Sequence, residues 1–117
     1  HFRWEGRLVD IYVKNIKAIG SKEVVVDPVS FSMKIVKESF AVHEQLFDAD
    51  SKARKLLTID QAKELNTYNI LPFEKPYLDI LYQETGPLLN DRLGRAVVRI
   101  ASIWEYCWLE AGSPELP

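Results

Sequence analysis

The chain has 117 residues and a mass of 13.5 kDa, with 47% hydrophobic and 27% charged side chains, the proportions of one globular domain near the commonest domain size. Fifteen Lys and Arg against 17 Asp and Glu leave a formal charge of −2, which argues against a chain-wide electrostatic footprint for nucleic acid or an acidic membrane. The single cysteine, Cys107, excludes an internal disulfide framework and a cysteine-rich zinc site, and no apolar run nears the roughly 20 residues of a membrane-spanning helix.

From Trp4 to Ile19 the apolar residues Trp4, Leu8, Ile11, Tyr12, Ile16 and Ile19 recur at three- and four-residue steps, which predicts a first helix stopped by Gly20-Ser21. Glu23 to Val26 reads as an extended connector leading to Asp27-Pro28, an N-cap followed by proline at the first helical position. Behind that cap Val29, Met33, Val36, Phe40, His43 and Phe47 alternate in steps of four and three, predicting a second helix to about Asp48. Thr58 with Gln61 three residues later fits a capping box for a short helix ending near Asn66. Asn66 to Pro76, rich in Pro, Asn and aromatics, reads as an irregular loop that tucks Tyr68, Phe73 and Tyr77 against the core. A short helix from Pro76 to Glu84 should then stop at Thr85-Gly86-Pro87. In the last and strongest periodic segment Leu89, Leu93, Val97, Ile100, Trp104 and Trp108 share one stripe, with Ala96, Ile103 and Cys107 beside it, until Gly112 and Pro114 end the helix. The reading is all-α: about five helices in a single domain around a central C-terminal helix.

Few residues suggest chemistry. His1 and Glu5 stand four apart, so on a helix their side chains converge on one point, and zinc accepts both ligand types, although it needs three or four protein ligands in all. His43, on the stripe of the second helix between Phe40 and Phe47, reads as a hydrogen-bonded core histidine. Arg92, Arg95 and Arg99 form a basic strip that could receive a phosphate but more often serves as a salt-bridged flank, with Asp91 and Glu105 as candidate partners. Trp104 and Trp108 read as core packing, and Cys107 beside them as an inert buried thiol.

The two ends of the chain together resemble a known superfamily. His1-Phe2-Arg3-Trp4-Glu5-Gly6-Arg7-Leu8-Val9-Asp10 resembles the His-x-x-x-Glu helix of the zinc-dependent phospholipase C and single-strand-specific nuclease superfamily, including the Val-Asp pair that follows it in the phospholipases. Arg92-Leu93-Gly94-Arg95-Ala96 onward to Trp104, followed by Gly112, is similar to that superfamily's closing helix; the middle of the chain matches only in being helical. The resemblance implies an all-α hydrolase in which three zinc ions activate water against a phosphodiester of a phospholipid or a nucleic acid, with His1 and Glu5 ligating one zinc. It also implies that the remaining ligands lie upstream of His1, in a missing N-terminal part. On that expectation these 117 residues are the C-terminal portion of a secreted or periplasmic phosphoric-ester hydrolase. They would be inactive alone, and their uncovered apolar faces would promote self-association. The competing expectation is a non-enzymatic helical interaction domain, in which His1 and Glu5 are incidental.

Overall fold

A computed structural model describes residues 2–115, and these are helical or irregular with no strand. A π-helical stretch, Phe2–Arg7, runs into α1 (Leu8–Tyr12). It is followed by α2 (Pro28–Phe40), α3 (His43–Arg54), α4 (Ile59–Glu64) and the long α5 (Glu74–Glu110). The all-α expectation is met.

Local caps account for several boundaries. The Asp27 carboxylate accepts from the backbone N–H of Val29 and of Ser30, both at 3.1 Å, with Pro28 behind it. These bonds, led by those from Ser30, hold the Asp27 carboxyl below the usual aspartate range. At α4 both bonds of the capping box form: Gln61 N–H donates to Thr58 Oγ1 at 3.2 Å, and Thr58 N–H to Gln61 Oε1 at 3.0 Å. α5 ends in a Schellman turn, in which Ser113 N–H reaches Trp108 O and Gly112 N–H reaches Leu109 O, with Gly112 at φ +80°.

Three expected boundaries move. The first helix stops at Tyr12, and the residues after it as far as Ile19 lie in no regular secondary structure. The expected second helix is broken at Ala41-Val42, so that α3 begins at His43. At Thr85-Gly86-Pro87 α5 runs straight through. Gly86 lacks the positive φ of a helix stop; it is small because a Cβ there would lie 3.0 Å from the Tyr82 ring.

The described residues divide into two compact units, each with its own packing. The first holds residues up to Asn15 together with Val42–Leu89. Its core is Leu8, Leu65, Tyr77, Leu78, Leu81 and Leu89, with Ala49 and Ala53 one turn apart on α3. Tyr77 donates to Asp50 at 2.6 Å, and the Asp50 carboxylate also takes Arg54 at 2.6 Å. Burial, helped by Asp50, pushes the Tyr77 phenol well above its ordinary value. Tyr12 stacks on Tyr82 with ring centres 4.4 Å apart and donates to Asp79. Of the three aromatics expected to tuck inward, Tyr77 is buried and Phe73 half-buried, but Tyr68 stands in solvent.

The second unit holds Ile16–Ala41 and the chain from Asn90 onward. Its irregular connector ahead of α2 crosses α5 closely: Ile19 N–H donates to Gly94 O at 3.0 Å, and Glu23 N–H donates to Ser102 Oγ at 3.0 Å. Ser102 donates in turn to Val98 O. Gly94 is required by this crossing, because a Cβ there would sit 2.5 Å from Lys17 O. Val25 and Phe31 are the apolar side chains this unit buries among the described residues.

Candidate functional site

His1 lies outside the described residues, so its convergence with Glu5 has no structural description. Glu5 is exposed on the π-helical stretch and takes part in interactions there. The four-residue alignment is a rule of α-helices, whereas bonds in a π-helix step five residues. Among the described residues no three His, Cys, Asp or Glu side chains converge as metal ligands. The described residues by themselves therefore do not complete a zinc centre, which takes three or four protein ligands.

The same stretch builds a different polar centre. Arg3 is buried, and its guanidinium donates to Leu65 O at 2.6 Å, Thr67 O at 2.8 Å and Asn69 O at 3.1 Å. Glu74, buried in the first turn of α5, accepts from Arg7 Nε at 2.7 Å, pairs with Arg7 Nη2 at 2.7 Å and lies 3.4 Å from Arg3 Nε. The Arg3–Glu74 approach is an ion pair without hydrogen-bond geometry. The centre fixes the π-helical stretch, the irregular loop and the start of α5 together; its donors are spent on backbone and on Glu74. Nothing in sequence pointed to it, because Glu74 is 67 residues or more from its partners.

In the second unit an open groove of about 320 Å³ is lined by Phe31 and Ile35 of α2 and by Ala96, Ile100, Ile103 and Trp104 of α5. Arg92 and Arg99 border it and share one Glu38 oxygen, and Arg92 also reaches Ser39 Oγ at 2.5 Å. The hydrogen bond from Arg99, ahead of the attraction of both guanidinium groups, holds the Glu38 carboxyl below its ordinary value. Arg95 pairs with Asp91 at 2.8 Å, while Glu105 takes Lys22. The basic strip is thus a salt-bridged flank, with Glu38 in the place expected for Glu105.

The apolar stripe of α5 corrects the sequence reading most. Val97 is 44% exposed, Ile100 51%, Trp104 73% and Trp108 42%. This C-terminal half of the stripe is an open face, not a central core, whereas Leu89 at its start is buried and Leu93 half-buried. Cys107 is likewise exposed rather than buried. On α2 the stripe Val29, Met33, Val36 and Phe40 also faces water, and Phe47 beyond it is exposed as well. His43 is half-buried, with its ring edge-to-face on Phe47 at 5.8 Å, and so does not stand in a closed core. Periodicity marks which face is apolar, and both faces are where the spacing put them, but they stand open to solvent. No helix among the described residues is long and apolar enough to cross a membrane. No family model, no curated protein and no solved structure matches the chain.

Proposed function

We propose that this chain is a helical docking module, completed by apolar helices of a polypeptide segment laid against its α5 and α2 seams. One observation carries the reading: the stripes Val97-Ile100-Trp104-Trp108 and Val29-Met33-Val36-Phe40 are exposed, while the unit that bears them buries only Val25 and Phe31 among its described large apolar side chains. A unit of about 50 residues with so small a core is marginal unless something else supplies burial. Contiguous apolar faces of this kind mark interaction sites.

The resemblance of both ends to the zinc-dependent phospholipase C and nuclease superfamily gives the reading its specific form. In it the completed assembly is a zinc-dependent phosphoric-ester hydrolase of a secreted or periplasmic kind, acting on a phospholipid or a nucleic acid. His1 and Glu5 then contribute to a metal site whose other ligands come from the segment that covers the seams. The test is to express the open reading frame extended upstream of the His1 codon, beside residues 1–117 alone, and to measure zinc content and hydrolysis of bis(p-nitrophenyl) phosphate. The expected result is stoichiometric zinc and turnover in the extended product and neither in the short one. An extended product that buries the seams yet holds no zinc would leave a non-catalytic interaction domain.

A further inference from the structure

We infer that the isolated chain covers its α5 seam with a second copy of itself, the two helices running antiparallel about a twofold axis at the level of Ser102. The inference rests on the reading of this seam as a docking face. Val97, Ile100, Trp104 and Cys107 follow one another at steps of three, four and three, the spacing of a two-helix seam. All four are exposed. Ser102, on the opposite side of the helix, is buried where Glu23 N–H bonds to it, and Gly94, one turn before Val97, is buried under Lys17 and Ile19 and so bounds the seam at that end.

Direction follows from shape and charge. In an antiparallel twofold pair, residues equally far from Ser102 face each other across copies, so Trp104 meets Ile100 and Cys107 meets Val97. A parallel pair would instead set Trp104 on Trp104. The charges of the segment are segregated: Arg92, Arg95 and Arg99 precede Ser102, whereas Glu105 and Glu110 follow it. Asp91 and Glu38 neutralise part of the first group and Lys22 part of the second, leaving one positive charge in excess at one end and one negative at the other. Antiparallel pairing brings these unlike ends together and opposes the helix dipoles, whereas parallel pairing stacks like on like.

The experiment is sedimentation velocity of residues 1–117 from low to high micromolar concentration, with short bismaleimide cross-linking of two cysteine forms. Self-association to a dimer is expected, weakened more than ~tenfold by Trp104→Asp, as for an aromatic anchor at an interface centre; Trp104 is already exposed, and circular dichroism confirms that the variant folds. Ala101→Cys in a Cys107→Ser background places a thiol beside the axis and should cross-link the two copies. The native Cys107, well away from the axis, should not. A monomer throughout the range, a dimer indifferent to Trp104→Asp, or cross-linking through Cys107 in place of Ala101→Cys would each overturn the inference. A persistent monomer would leave the docking reading itself to be decided by the zinc and phosphodiester measurements above.

Discussion

Replacing Gly94 by alanine sets two effects of opposite sign against each other. Gly94 lies inside α5, where exchange for alanine normally stabilises a helix by about 1 kcal/mol. Here the added Cβ would stand 2.5 Å from Lys17 O and 2.7 Å from Ile19 Cγ1. Ordinary carbon–oxygen contacts begin near 3.3 Å, so the connector must retreat by roughly 0.8 Å. That retreat stretches the 3.0 Å bond from Ile19 N–H to Gly94 O out of range. Loss of the bond costs about 1 kcal/mol, and forcing a methyl group against backbone costs about 1–3 kcal/mol. The net is a destabilisation of roughly 2 kcal/mol after the propensity gain, or a fall in Tm of about 10 °C for a domain of this size. Urea unfolding followed by circular dichroism measures it directly. Gly6→Ala is the control, since its Cβ would meet only Phe2 Cδ2 at 3.8 Å; it should be neutral or stabilising by up to about 1 kcal/mol. A Gly94→Ala protein as stable as the parent would refute the close crossing of connector and helix.

Arg3→Ala should cost about 3–5 kcal/mol in thermal or urea unfolding, because it strips three backbone carbonyls of their donor and removes one of the cations around buried Glu74. Arg3→Lys should recover little of that loss, since a point ammonium does not reproduce the guanidinium fork. Thr58→Ala should cost about 1 kcal/mol by removing the cap of α4, measurable as a shift in the urea midpoint. Glu38 predicts a pH effect. Its carboxyl is held below the unfolded value by Arg99, so its contribution is present above the unfolded glutamate range near pH 4.3 and is lost as pH falls through the lower folded value. Stability measured against pH should therefore drop less on acidification in Glu38→Gln than in the parent, and an unchanged pH profile would count against the pair.

How much of this molecule could be read from the sequence depends on the range of the cause. Asp27-Pro28, Thr58 with Gln61, and Gly112 act on backbone groups within a few residues, and all three mark boundaries that the structure has. The failures have distant causes. Val13–Ile19 carries a helical pattern, but its end is held by Gly94, far along the chain. Gly86-Pro87 resembles a stop, yet the helix continues, with Thr85 bonded to Leu81 O and to Trp4 Nε1 beside it. The Arg3–Glu74–Arg7 centre joins residues with no local signal at all. The apolar stripes were legible as faces, but periodicity is silent about whether a face meets its own chain or another. The candidate metal pair shows the same limit from the other side. Glu5 is placed, exposed and on a π-helical stretch, whereas His1 lies outside the described residues.

Open apolar seams are the central claim, and Trp104 reports on them most directly. A variant with Trp4→Phe and Trp108→Phe leaves Trp104 as the one remaining indole. Its emission maximum and acrylamide quenching should be recorded at submicromolar concentration, where copies are apart. Emission typical of water-exposed indole with near-free quenching is predicted, in line with 73% exposure. Blue-shifted emission protected from acrylamide in the dilute monomer would mean that the chain covers this seam by itself, and the docking account would fail.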